Sequence, residues 1–415
     1  MYTEIEKCRV CGNEDLVPVF SLGDQTLTGV FPLNADSKVP RGPVDLVRCN
    51  QGVGEISCGL VQLKQSYDVS QMYGDNYGYR SGLNSSMVDH LHRKVNKILA
   101  LGILEERDIV IDIGSNDGTT LGFYPEEVYR LVGVDPTGEK FSAFYRPDIQ
   151  LVPDFFSRDT LFPLLQSQKA KVITSFSMFY DLEAPVDFAK EVASLLHKDG
   201  VWILEQSYLP TMLKTNSFDT ICHEHLEFYG LKQIAAIGAQ AGLKVADVEF
   251  NSINGGSFSI VMAHSNSNIS TNDKVIQAIF ESEKKLNLDT DEPFRGFRDR
   301  VHERREQLIN LLQSIRNKGD SIYGLGASTK GNVLLQFYNL NAELLDGVAE
   351  VNSEKFGKLT PHSNIPILSE EEVLAKNPEY LLVLPWHFKE FFLRSEKFKG
   401  RKLIFPLPDV EVIET

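Results

Sequence analysis

The chain has 415 residues, more than one hydrophobic core usually organises, so two or three domains are expected, each able to bury its own apolar interior. With 42% hydrophobic and 24% charged residues and no apolar run near the roughly 18 residues of a membrane span, it reads as globular and not membrane-spanning. A formal charge of −15 argues against an extended nucleic-acid interface, and the opening MYTEIEKCRV lacks the apolar core of a signal peptide, so a cytoplasmic protein is expected.

Four of the five cysteines lie near the start, as Cys8-Arg-Val-Cys11-Gly and the wider pair Cys49 and Cys58. A C-x-x-C-G turn points two thiolates at one ion, and a second pair completes a tetrahedral zinc site, here structural because four thiolates leave no open position. Four buried free thiols or a thioredoxin-like dithiol are the alternatives, the latter needing a strand before the motif and a helix opening at it. Cys222 is too distant in sequence to join the set. A zinc domain over 1–66, a central domain over 67–265 and a third domain over 266–415 are expected.

Apolar residues at Leu83, Met87, Val88, Leu91, Val95, Ile98 and Leu99 give residues 83–100 the spacing of a helix with one buried face. A strand then enters Asp108-Ile-Val-Ile-Asp-Ile-Gly-Ser-Asn-Asp-Gly118, where Gly114 and Gly118 let a ligand approach the backbone at the carboxyl end of the first strand. A second strand, Tyr129 to Val134, ends in Asp135, about twenty residues after the turn, where a carboxylate accepts ribose hydroxyls. The loop is not G-x-G-x-x-G, and its acids would repel a dinucleotide's pyrophosphate. Adenosylmethionine has no phosphate and carries a cationic amino group and sulfonium, which suit Asp112 and Asp117, with Asn116 in the same loop. Asp154 and Phe155 are candidates for the adenine, core packing being the alternative for Phe155 and Phe156. Strands at Lys171 to Phe176 and Val201 to Glu205 should end at the same cleft.

Phe218-Asp-Thr-Ile-Cys-His-Glu-His-Leu-Glu-Phe-Tyr229 is the densest proton-transfer chemistry in the chain. A metal site is the alternative for His-x-His, but no third ligand is evident, and one histidine packing at a helix end is the bland reading. His225 is taken as a base that needs no large pKa shift, with Glu224 orienting it or relaying its proton.

A helical stretch from Lys274 to Lys318, interrupted near Asp289-Thr-Asp-Glu-Pro293, leads to Ser321-Ile-Tyr-Gly-Leu-Gly-Ala-Ser-Thr-Lys-Gly-Asn332, a second strand-to-glycine turn. Strands at Leu344 to Glu350, Tyr380 to Leu384 and finally Lys402 to Phe405 would complete a Rossmann-like α/β domain. Ser328, Thr329 and Lys330 suit an anionic phosphate, unless the turn is only architecture; Trp386 and His387 stack on a base or pack.

Taken in order, the Cys-x-x-Cys-Gly with Cys49 and Cys58-Gly-Leu-Val-Gln-Leu, the Asp-Ile-Gly-Ser-Asn-Asp-Gly turn, Cys-His-Glu-His-Leu-Glu-Phe-Tyr and Gly-Ala-Ser-Thr-Lys-Gly-Asn resemble bacterial sugar C-methyltransferases of deoxysugar pathways over the full chain. The resemblance implies a zinc-binding domain, a central class I adenosylmethionine domain, and a C-terminal α/β domain sharing the cleft for a nucleotide-linked 4-ketosugar. It also implies that Glu224 and His225 carry the proton chemistry, and that Tyr73-Gly-Asp-Asn-Tyr-Gly-Tyr-Arg-Ser81 brings Tyr77 and Tyr79 to the cofactor or acceptor, aromatic packing being the alternative. Where family members carry tyrosine before His-Glu-His and histidine after the fourth strand, this chain has Cys222 and Tyr180-Asp181, which makes these three the acceptor-pocket candidates. An O- or N-methyltransferase, a zinc-bearing RNA methyltransferase and a nicotinamide-dependent protein are the rivals, and the sequence leaves the oligomeric state open.

Overall fold

The computed structural model describes residues 2–50, 57–68 and 79–415. Strands β1 (Tyr2–Glu4), β2 (Leu16–Thr26), β3 (Arg41–Cys49), β4 (Val61–Leu63) and β5 (Gln65–Tyr67) form the N-terminal region, in which β1 pairs with β5 and β2, β3 and β4 run antiparallel. Helix α1 (Ser85–Ala100) follows, capped by the Asn84 side chain on the Ser86 N–H. The expected apolar face is buried at Met87, Leu91, Val95 and Ile98, but His90 and Lys94 are buried with it. Both close on Glu205: His90 Nε2 lies 2.5 Å from Oε1 and Lys94 Nζ 2.8 Å from Oε2, so the Lys94 charge compensates the carboxylate in the interior.

The central sheet is built from β6 (Ile109–Ile113), β7 (Arg130–Val134), β8 (Ile149–Val152), β9 (Ala170–Phe176), β10 (Leu196–Ser207), β12 (Leu243–Asn251) and β13 (Ser257–His264), with β11 (Glu227–Phe228) lying outside it. Its order is β8-β7-β6-β9-β10-β13-β12, parallel except that β13 opposes both neighbours. Ile-Val-Ile-Asp-Ile of β6 is buried throughout, as a strand covered on both faces must be. The order reverses on either side of β6, so the cleft between the carboxyl ends of β6 and β9 is a topological switch point, where open α/β sheets bind ligands. Helices α2 (Pro185–Leu195), α3 (Leu209–Thr215) and α4 (Leu231–Gln240) belong to the same part of the chain.

β11 pairs with β4, so the histidine-bearing segment adds a strand to the N-terminal sheet. Helices α5 (Asp273–Lys285) and α6 (Glu292–Asn317) then lead to β14 (Ile322–Leu325), α7 (Thr329–Phe337), β15 (Gly347–Glu350), β16 (Ile367–Ser369), β17 (Tyr380–Val383), β18 (Lys402–Phe405) and β19 (Glu411–Glu414). The second sheet runs β16-β15-β14-β17-β18-β19, parallel but for β19. The expected helical break falls between α5 and α6, and β15 is shorter than expected, with Leu344 outside it. Lys402 to Phe405 is not the last strand: β19 follows it beyond Pro406 and Pro408 and half-exposes its side chains, an edge strand that hydrophobic pattern does not announce.

The cores cross the domains. Val19, Leu46 and Leu63 of the N-terminal sheet share one apolar cluster with Phe294, Phe297 and Val301 of α6 and with the β14–β18 sheet. Cys8, Cys49 and Cys58 pack in another with Tyr229, Leu231 and the central sheet. No helix among the described residues is long and apolar enough to cross a membrane.

Candidate active site

A cavity of about 210 Å³ opens at the switch point. Asp112, Gly114 and Asn116 of the first turn, Asp135 after β7, and Phe155, Phe156, Phe176, Ser177, Met178 and Asp181 line it. Gly114 has φ +73°, and a Cβ there would meet Met178 Cγ at 3.1 Å, so glycine is required both by the backbone and by the cavity wall. Asn116 and Ser177 also hold left-handed φ values, +50° and +56°, a strain that persists only where surrounding contacts enforce it.

Asp112 accepts a hydrogen bond from Thr174 Oγ1 at 2.6 Å, and burial pushes its carboxyl up to about 7. A carboxyl raised by burial, on the wall of a cavity, fits the cationic amino group of adenosylmethionine. Asp135 faces the cavity too, but it also holds the turn together: Oδ2 accepts the Asn116 N–H at 2.8 Å, and Oδ1 accepts the N–H and hydroxyl of Thr137 at 2.7 and 2.6 Å.

Three cofactor candidates take other places. Asp117 is off the wall: Oδ2 accepts the Gly82 N–H at 2.9 Å and lies 3.4 Å from Arg80 Nε, while Oδ1 accepts the Thr119 hydroxyl at 2.5 Å. The Asn116 side chain joins it, accepting from Ser81 N–H at 2.9 Å and donating to the Tyr79 carbonyl at 3.1 Å. Their charge and amide therefore fasten the segment 79–82 across the turn, which puts Tyr79 and Ser81 on the cavity wall. Gly118 is off the wall as well; its φ of +74° opens the short helix Thr119–Gly122, and a Cβ would meet the Tyr145 ring at 3.0 Å. Asp154 is exposed and accepts the N–H of Phe155 rather than facing the cavity, whereas Phe155, still half-exposed, lines it. Tyr77 lies outside the described residues. Tyr145 was not anticipated from sequence: its hydroxyl bonds Ser115 Oγ at 2.8 Å and the Asn116 carbonyl at 2.9 Å, and nothing in its local sequence marks it.

Tyr180, the chain neighbour of the cavity-lining Asp181, makes the contact to the histidine segment. Tyr180 is buried with its ring 4.3 Å from that of His225, and Leu226 N–H donates to the Tyr180 carbonyl at 2.8 Å. His225 Nδ1 lies 2.6 Å from the Thr220 carbonyl, which only accepts, so Nδ1 carries the proton and Nε2 is left with its lone pair. Burial, with the Lys330 charge nearby, lowers His225 to about 4, against the expectation of a histidine with little shift. Glu224 turns to a different partner, accepting from the Cys222 thiol at 3.4 Å, and burial raises its carboxyl. The group that orients His225 is thus the Thr220 carbonyl rather than Glu224. His223 is structural: it is 1% exposed, bonds the Gln25 carbonyl at 3.1 Å and stands edge-on to Tyr67.

The C-terminal glycine turn uses part of its own donor set. Ser328 caps α7 on the Gly331 N–H, and Glu350 Oε2 accepts the Ala327 N–H at 3.0 Å, where an anion would otherwise bind. Lys330 reaches away from that nest, donating to the Asn254 carbonyl of the central domain at 2.6 Å. Trp386 is 6% exposed and donates from Nε1 to Asp219 Oδ2 at 2.9 Å, and it also borders a shallow groove with His387, Phe250 and Gly255. Asp219 and Asn254, both unassigned from sequence, are thus where the two α/β domains meet.

In the N-terminal region, Cys8 and Cys58 have Sγ atoms 3.5 Å apart, as do Cys11 and Cys49, and all four lie within 4.8 Å of one another. Tetrahedral Zn–S bonds of about 2.3 Å place sulfurs about 3.8 Å apart, so the four fit one such ion. Gly12 and Gly59 after the two motifs have φ of +73° and +71°, and Asn13 Nδ2 lies 3.4 Å from Cys49 Sγ, a support outside the ligand set.

Three family models match in succession: a zinc binding domain over residues 8–73, a methyltransferase domain over 83–248 and a C-methyltransferase C-terminal domain over 252–408. The C-methyltransferase NovU of Streptomyces niveus is 28% identical over 415 residues, covering 99% of this chain and 97% of its own. Among solved structures, the CcbJ methyltransferase of Streptomyces caelestis is 12% identical over 42% of this chain and 89% of its own, with a TM-score of 0.33. An O-methyltransferase family protein of Burkholderia thailandensis is 17% identical over 45% and 57%, also at 0.33. LepI bound to adenosylmethionine is 16% identical over 39% of this chain and 43% of its own, again at 0.33, overlaps too small to bear on chemistry. The chain is thus a methyltransferase of class I fold whose sequence matches, in succession, a zinc binding domain, a methyltransferase domain and a C-methyltransferase C-terminal domain.

Proposed function

We propose that the chain transfers a methyl group from adenosylmethionine to the carbon beside the ketone of a nucleotide-linked 4-keto-deoxysugar, with zinc as a structural ion on Cys8, Cys11, Cys49 and Cys58. The observation that carries the reading is a neutral His225 with Nδ1–H fixed on the Thr220 carbonyl and Nε2 without a hydrogen bond among the described residues, its ring against Tyr180, whose chain neighbour Asp181 lines the cavity. A tautomer held in this way has its basic nitrogen ready for a proton on carbon. The coverage by NovU, named a C-methyltransferase, supports carbon as the acceptor.

Bound adenosylmethionine supplies a methyl group already activated by its sulfonium. Asp112 would hold its amino group and Asp135 its ribose, while Phe155 and Phe156 would cover the adenine. His225 Nε2 removes the proton made acidic by the neighbouring ketone, and the electron pair moves onto the ketone oxygen as an enolate. The enolate carbon then takes the methyl, and the S–CH3 pair stays on sulfur. Tyr180, Asp181, Cys222 and Glu224 shape the acceptor side, and the segment 79–82 excludes water from the donor side.

Mass spectrometry of the protein with adenosylmethionine and a panel of nucleotide-linked 4-ketohexoses in deuterated water tests this. A gain of one methyl group, with deuterium entering beside the ketone in cofactor-free controls, is expected. His225→Asn should lose both while binding adenosylhomocysteine as before. Methylation without exchange would move the acceptor to oxygen or nitrogen, and undiminished turnover by a folded His225→Asn would remove that residue from its role.

A further inference from the structure

We infer that Lys330, from the C-terminal domain, is a catalytic residue of the central domain's reaction: its ammonium stabilises the oxyanion that forms on the acceptor's ketone as His225 takes the proton. The inference rests on the enolate reading given above and assigns the group that answers the charge.

Lys330 occupies the first turn of α7, two residues after the Ser328 cap. That is the positive end of the helix dipole, where a cation is disfavoured. Its Nζ leaves its own domain and donates to the Asn254 carbonyl at 2.6 Å, and it makes no ion pair within 4.0 Å among the described residues. Asn254 holds this carbonyl in place from a left-handed backbone, φ +57°, while its own side chain donates to Ser177 Oγ at 3.3 Å. Ser177 lines the cofactor cavity. The ammonium is therefore tied to the wall of the methyl-donor cavity through Asn254 and Ser177, while Asp219 and Cys222 stabilise its charge and that charge lowers His225 of the histidine segment.

A half-buried cation at a helix N-terminus, bonded among the described residues only to a neutral carbonyl, is costly unless a negative charge reaches it. The carboxylate whose charge stabilises it, Asp219, is shared with the Trp386 indole, and its Oδ1 is buried without a hydrogen-bond partner among the described residues. Burial lowers the Lys330 ammonium from its usual value, so developing negative charge on a bound ketone would be its strongest partner. No proton leaves Lys330 in this role: the proton goes to His225 Nε2, the C–H pair becomes the enolate, and the ammonium contributes through its charge. Preorganised donors of this kind accelerate more than substrate binding does, because the charge they meet exists only once the proton has moved. An enzyme so built needs both α/β domains closed on one substrate, which explains why a C-terminal domain accompanies a methyltransferase fold that is otherwise complete.

The test compares Lys330→Met, Lys330→Gln and Lys330→Arg with the wild type in two assays on the same ketosugar: deuterium exchange beside the ketone with adenosylhomocysteine bound, and methyl transfer. Loss of about 100- to 1,000-fold in both rates is expected for Met and Gln, with a smaller loss for Arg. KM should stay within about threefold and the adenosylhomocysteine Kd within about twofold, which also reports that each variant is folded. A raised KM with unchanged kcat and exchange would overturn the assignment and make Lys330 an anchor for the substrate's anionic part. Wild-type rates in a folded Lys330→Gln would overturn it as well. A wild type that methylates without exchange refutes the enolate itself, an outcome distinct from a failure of Lys330 alone.

Discussion

Arg9, inside the first cysteine motif, should be coupled to Glu227 on β11 by several kilocalories per mole. The guanidinium donates to the Leu63 carbonyl at 2.7 Å and to Ser66 Oγ at 2.9 Å, and its Nε lies 3.6 Å from Glu227 Oε1. Both side chains are buried, 3% and 0% exposed, and neither Glu227 oxygen has a hydrogen bond among the described residues. At an effective dielectric constant of about 20, two unit charges at that separation attract by about 5 kcal/mol. A double-mutant cycle of Arg9→Met, Glu227→Gln and the pair isolates this term, since the bonds of Arg9 to Leu63 and Ser66 are lost equally on both sides of the cycle. Measured by urea unfolding at pH 8 and constant zinc, the coupling should be about 3–5 kcal/mol, with Arg9→Met the worst variant because it strands a buried carboxylate. Burial raises Glu227 well above its ordinary value, so its proton returns as pH falls, and Arg9→Met should cost less at pH 5 than at pH 8. A coupling below about 1 kcal/mol, the size of an exposed pair, would refute the reasoning. The result bears on function, because β11 follows directly on Glu224 and His225 and joins them to the cysteine-bearing sheet.

His223 and His225 are both lowered from 6.5 to about 4, chiefly by burial. The unfolded chain thus binds their protons first on acidification, so each contributes about 3 kcal/mol of stability that is intact above pH 6.5 and lost between there and pH 4. Unfolding midpoints across that range check the sign, and stability that rises toward pH 4 would contradict it. If His225 is the base, the acid limb of kcat/KM falls well below pH 6 rather than near 6.5. The two glycines of the first turn should separate: Gly118→Ala, at φ +74° against Tyr145, costs about 1–2 kcal/mol of stability with little change in adenosylhomocysteine affinity. Gly114→Ala, whose Cβ would press Met178 on the cavity wall, weakens that affinity about tenfold or more by calorimetric titration.

The repeating apolar runs Ile109–Ile113, Arg130–Val134 and Ala170–Phe176, and the glycine turn after the first, were legible because a parallel strand buried on both faces writes itself as a continuous hydrophobic segment. The four cysteines were legible because a metal knuckle is a local turn. Asp117 and Asn116 read as ligand groups, since an acid and an amide in a cofactor loop look alike whether they face the ligand or a neighbouring segment. The direction of a side chain at a turn is set by what packs beside it, here the segment 79–82, and no periodicity encodes that. His225 could be named from its motif, but its tautomer and its lowered pKa come from the Thr220 carbonyl, burial and a lysine more than a hundred residues later in the chain. The sequence by itself determined the order of the three folds and the residue types available for chemistry, both of which are short-range properties. The tertiary structure alone decided that Lys330, Asn254, Asp219 and Trp386 meet between two α/β domains, and that β11 ties the histidines to the cysteine-bearing sheet. Electrostatics and burial depend on distances across the fold, and those exist only once the chain has closed.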